Sequence, residues 1–101
     1  MSLFSSIFGA PSRVTGSRAR ILVSEGALLM DVRTPAEFES GHVDGAVNIP
    51  VGLLPTRLHE LDPSRPVVIY CRSGGRSGSA SKLLRNAGFH SVYDLGPMHA
   101  W

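Results

Sequence analysis

Residues 67–84 read VVIYCRSGGRSGSASKLL, and the fold turns on this stretch. Val67 to Tyr70 is a short continuous apolar run, the mark of a strand buried on both faces. A helix is expected from about Ser77 to Ala87. There Ala80, Leu83, Leu84 and Ala87 recur at i, i+3, i+4 and i+7 and make one apolar face. Gly88 follows as its terminating glycine. A tight Gly-rich loop lies between the two. Strand, glycine loop and helix in that order form the unit of a parallel α/β sheet, which binds ligands at the carboxyl ends of its strands.

Working upstream, SRARILVSEG from Ser17 reads as a helix, with Ser17 available as N-cap and Gly26 just past the end. Ala27 to Val32 is a second buried apolar run. Thr34, Pro35 and Glu37 form a capping box with proline at the first helical position, and Gly41 ends the short helix they start. Ala46 to Ile49 reads as a strand stopped by Pro50. Leu53 to Leu61 is helix-like, its regular part confined to the portion from Pro55. Asp62, Pro63, Ser64 and Pro66 form a turn. Downstream, Ser91 to Leu95 is a last strand. Strands alternating with helices predict a three-layer α/β domain over residues 13–101. It would have a roughly five-stranded, mainly parallel sheet with helices on both faces. Residues 1–12 read as a flexible arm.

Composition sets the outer bounds. A chain of 101 residues fits one domain, and 43% hydrophobic with 18% charged residues is ordinary for a globular protein. A formal net charge of +2 gives no reason to expect a nucleic-acid or membrane partner. No apolar stretch reaches membrane length. Cys71 is the one cysteine, so an internal disulfide is impossible. A lone thiol suits a reducing compartment, and a cytoplasmic location is expected. His59, His90 and His99 lack metal-ligand spacing, so no metal is expected.

The chemistry lies in the loop. Cys71 sits at the carboxyl end of the strand, and Arg72, Ser73, Gly74, Gly75, Arg76 and Ser77 lead directly into a helix N-terminus. Amides converging there make an anion cradle, and Gly74 and Gly75 permit the backbone angles it needs. The amides, the helix dipole, Arg72 and Arg76 all favour a thiolate at Cys71. The same field would stabilise a persulfide anion. The commoner fate of a lone cysteine is to be a small buried hydrophobe. Two glycines and two arginines in a strand–loop–helix context argue against that here.

CRSGGRS resembles the active-site loop of the rhodaneses throughout. DVRTPAEFESGHVDGAVNIP, residues 31–50, is similar to the family's other signature. The ending Leu95-Gly96-Pro97-Met98-His99-Ala100-Trp101 is similar to its terminal Gly-Gly-x-x-x-Trp, with Pro97 where a second glycine is usual. The resemblance spans roughly Gly16 to Trp101. It implies a rhodanese-like fold and a sulfurtransferase. Cys71 would take the sulfane sulfur of a small anionic donor such as thiosulfate, then pass it as a persulfide to cyanide, a thiol or a sulfur-carrier protein. No cofactor is implied. The alternative is a sulfur-relay or persulfide-binding module that acts with a partner protein.

The resemblance also suggests supporting roles. Asp31 would accept hydrogen bonds from a loop arginine or from backbone groups; the alternative is a surface ion pair worth under about 1 kcal/mol. Arg33 is expected to pair with Glu37 rather than line the pocket. Glu37 is expected to act as a cap, and His42 to tie the short helix to the next strand. Phosphatases of related fold need five residues between cysteine and arginine. Here four residues separate Cys71 from Arg76, and the next position is Ser77, so the smaller cradle suits a sulfur atom better than a phosphoryl group.

Overall fold

A computed structural model describes residues 13–101. The expected arm over residues 1–12 lies outside the described residues. Four strands, β1 (Leu28–Asp31), β2 (Val47–Asn48), β3 (Val67–Cys71) and β4 (Val92–Pro97), form one sheet in the order β2-β1-β3-β4. Every pairing is parallel. Among the described residues the sheet therefore has four strands, not five. At the free edge of β4, Arg13 makes a single parallel bridge to Asp94. The chain turns into a helix at Gly16, too soon for a ladder to grow.

The helices are α1 (Gly16–Ser24), α2 (Pro35–Ser40), α3 (Leu54–Arg57) and α4 (Gly75–Asn86). Short 3₁₀ turns follow at Leu58–Glu60 and Met98–Ala100. Thr15, not Ser17, caps α1: its Oγ1 accepts from the Arg18 N–H at 3.1 Å. Gly16, the first helical residue, lies so close to the chain end that a Cβ there would run into the Ala100 carbonyl. The α2 cap is the one expected. Thr34 Oγ1 accepts from the Glu37 N–H, and the Glu37 carboxylate accepts from the Thr34 N–H. Two orphan amides are satisfied by one pair of side chains.

Strand β3 is buried along its whole length, and its side chains alternate between two cores. Val67, Ile69 and Cys71 join Met30, Ile49, Leu54, Ala80 and Leu84 on the face covered by α3 and α4. Val68 and Tyr70 join Leu29, Leu95, Ala19 and Leu22 on the face covered by α1. Each fully buried side chain of this size stabilises the fold by roughly 1.5–3 kcal/mol. Helices on both faces leave the carboxyl ends of the strands as the open rim of the domain.

Candidate active site

The strand–loop–helix unit places Cys71 as the last residue of β3. The next residues turn sharply, and Gly74 is the N-cap of α4 with φ at 110°. A side chain there would strain the backbone. Gly75 is different: it is the first residue of the helix and has no positive φ. Only one of the two loop glycines is thus required by backbone geometry. The helix starts two residues before the expected Ser77, so Ser77 lies within its first turn.

The Cys71 side chain is fully buried, but its sulfur is not in purely apolar surroundings. The Gly74 N–H donates to Sγ at 3.0 Å and the Ser77 N–H at 3.3 Å. Burial pushes the thiol up. Hydrogen bonds from the Ser77 hydroxyl and from the Ser77, Gly74 and Ser73 amides more than offset it, and the net shift is downward. The cradle amides and Ser77 lower this thiol; the arginine charges play a smaller part than the sequence suggested.

The two arginines differ. Arg76 is held by Glu37, its Nη1 and Nη2 donating to Oε1 and Oε2 at 2.6 and 3.0 Å. Glu37 is therefore both the α2 cap and the clamp on the loop's second arginine. That contact, with the hydrogen bonds from Thr34, brings its carboxyl down to about 2. The Arg72 guanidinium is exposed and has no ion-pair partner among the described residues. Ser73 is also exposed.

Asp31 and Arg33 end β1 as a buried pair. Arg33 Nη2 donates to Asp31 Oδ2 at 2.8 Å, and Arg33 Nε reaches both carboxylate oxygens at 3.1 Å. One expectation is corrected: Arg33 pairs with Asp31 and not with Glu37, which Arg76 already occupies. Asp31 accepts from a backbone N–H as expected, that of Arg33, and its side-chain donor is Arg33 rather than a loop arginine. Arg33 also donates to the Gly41 carbonyl at 2.7 Å, fastening the end of α2.

Further residues support the site. Asn48 Nδ2 donates to the carbonyls of Asp31 and Arg33, both at 3.0 Å, and so shapes the turn after β1. The Tyr70 hydroxyl accepts from the Val43 N–H at 3.1 Å. His42 has an exposed local role: its Nδ1 lies 2.7 Å from the Phe38 carbonyl and its ring stacks on Phe38. Among the described residues no group of three or more His, Cys, Asp or Glu side chains is placed to hold a metal ion. None of the described helices is long and apolar enough to cross a membrane.

Loop, fold and register together define the class. Residues 18–101 match the rhodanese-like domain, and the chain belongs to that family. Several of the proteins it resembles are sulfurtransferases. It is 43% identical over 83 residues to a sulfurtransferase of Allochromatium vinosum, covering 81% of this chain and 78% of that one. It is 34% identical over 90 residues to the thiosulfate sulfurtransferase GlpE of Pseudomonas syringae, covering 88% of this chain and 85% of the relative. Among solved structures, the human single-domain sulfurtransferase TSTD1 superposes with a TM-score of 0.76 at 27% identity, covering 91% of this chain and 93% of that one.

Proposed function

We propose that this protein is a thiosulfate sulfurtransferase working through a Cys71 persulfide. The observation that carries the reading is the convergence of the Gly74 and Ser77 amides on Cys71 Sγ at 3.0 and 3.3 Å. Donors aimed at a sulfur favour its anion, first as thiolate and then as persulfide. The Cys71 thiolate attacks the sulfane sulfur of thiosulfate. The sulfur–sulfur bond of the donor breaks, and sulfite leaves with its electron pair. An acceptor nucleophile then attacks the outer sulfur of the persulfide, and Cys71 returns as thiolate. With cyanide the product is thiocyanate. No cofactor enters this cycle, because the persulfide is the intermediate.

The exposed Arg72 stands ready to meet the sulfonate oxygens of a dianionic donor. Arg76, tied to Glu37, fixes the loop. The short cradle favours sulfur over phosphoryl transfer, and the cytoplasm is the compartment that suits a working free thiol. A steady-state assay with thiosulfate and cyanide tests the reading. Multiple turnovers that depend on Cys71 support an enzyme. A single discharge without turnover indicates a relay module that needs a partner.

A further inference from the structure

Arg13 has no part in the site described above, yet the fold brings it to the rim of the loop. Its backbone bridges Asp94 at the β4 edge, and its Nε–H donates to the Asp94 carbonyl at 3.1 Å. Those contacts fix the guanidinium without consuming its two terminal nitrogens. The nearest carboxylate oxygen, Asp94 Oδ2, is 4.0 Å from Nε, and the Arg13 side chain is 60% exposed. Asp94 Oδ1 is already taken by the Gly96 N–H at 2.9 Å.

Gly96 is the link to the site. A Cβ on Gly96 would stand 2.7 Å from Arg13 Nη2, and one on Gly74 would stand 3.9 Å from the Gly96 Cα. The guanidinium is thus one glycine away from the residue whose amide touches Cys71 Sγ. Register agrees, since Gly96 pairs with Tyr70 and Pro97 with Cys71. Arg76 is neutralised by Glu37 on the other flank. Among the described residues, the rim therefore carries two cations whose terminal nitrogens no carboxylate occupies: Arg72 on the loop and Arg13 across β4, the latter with Asp94 only at 4.0 Å from its Nε.

We propose that Arg13 is a specificity residue for the acceptor step: it binds a carboxylate of a small acidic thiol whose sulfur is reacting at Cys71. The proposal rests on the persulfide reading above. A compact donor sits against the cradle itself, whereas a peptide-like thiol spans roughly 3.5 Å per residue and carries its carboxylates out to the rim. The acceptor thiolate attacks the terminal sulfur of the Cys71 persulfide. The bond from that sulfur to Cys71 breaks, its electron pair returns to Cys71 as thiolate, and the acceptor leaves as its own persulfide.

The test uses protein preloaded with thiosulfate and freed of excess donor. Discharge is timed with glutathione, with glutathione diethyl ester, and with cyanide, for wild type, Arg13→Gln and Arg13→Lys. Arg13→Gln should slow discharge by glutathione about threefold to fivefold, as loss of an exposed ion pair would. The loss should appear in the concentration dependence and shrink at high salt. The diester and cyanide rates should not change, and Arg13→Lys should recover part of the glutathione rate. Equal glutathione rates in wild type and Arg13→Gln would overturn the proposal, as would a matching fall with cyanide, which would mark a structural role. If wild type acquires no sulfur, the persulfide reading fails and takes this proposal with it. Loading and cyanide discharge without an Arg13 effect leave that reading standing and reject this one.

Discussion

Glu37 and Arg76 lie 39 positions apart in sequence and meet through two parallel hydrogen bonds at 2.6 and 3.0 Å. The pair joins the N-terminal turn of α2 to the first turn of α4, beside the loop that carries Cys71. Two segments similar to family signatures are thus fastened by one side-chain contact.

That contact sets a pH dependence. Glu37 has a folded-state pKa of about 2 against an ordinary value of 4.5. A depressed carboxylate adds stability that is present above its unfolded pKa and lost as pH falls through the folded one. The Glu37 contribution should therefore fade between about pH 4.5 and pH 2. Urea unfolding across that window should show a shallower acid loss in Glu37→Gln than in wild type. An identical pH profile in the two proteins would contradict the assignment.

The buried Asp31–Arg33 pair should be costly to break from one side. Both side chains are at most 6% exposed. Asp31→Asn leaves the Arg33 charge uncompensated, and such losses run to about 3–5 kcal/mol. Denaturant midpoints at neutral pH measure this. A change within about 0.5 kcal/mol would show that solvent reaches Arg33 easily.

Ser77 should lower the Cys71 pKa. Burial opposes the thiolate, and the Ser77 hydroxyl leads the contacts that favour it. Ser77→Ala should raise the apparent pKa, so alkylation at neutral pH should slow while the rate at high pH stays near wild type. Superimposable pH–rate curves would place the source of the shift elsewhere.

Arg72 is expected to select thiosulfate over 3-mercaptopyruvate, since an exposed guanidinium suits a dianion with sulfonate oxygens. Arg72→Gly should lower kcat/KM for thiosulfate by about 1.5 kcal/mol, roughly tenfold, and less at high salt. A wild-type preference for 3-mercaptopyruvate, or an unaltered thiosulfate efficiency in the variant, would sink this assignment.

Local signals in the sequence were enough for the elements around the site. The Thr34–Pro35–Glu37 box, the VVIY run and the terminators Gly41 and Gly88 each act within a few residues, and the structure shows them where expected. What failed was competition between partners. Arg33 had a carboxylate two residues back and another four ahead, and choosing between them required knowing that Arg76 claims Glu37. Thr15 and Ser17 both offer a hydroxyl to α1, and their oxygens lie 3.2 Å apart. Adjacent glycines at 74 and 75 look alike in sequence, although only Gly74 takes the left-handed backbone. Asn48 lies within the segment similar to a family signature, but its role is not local: its hydrogen bonds run to the Asp31 and Arg33 carbonyls at and just past the end of β1.

The central claim is that Cys71 carries sulfur covalently, and intact mass spectrometry reads this directly. Protein incubated with thiosulfate, and then with cyanide, is weighed beside a Cys71→Ser variant treated the same way. Wild type should gain the mass of one sulfur atom and lose it again on adding cyanide, with thiocyanate released, while Cys71→Ser stays at its starting mass throughout. A wild-type protein that takes up no sulfur, or a Cys71→Ser variant that still gains it and discharges it to cyanide, would contradict the account.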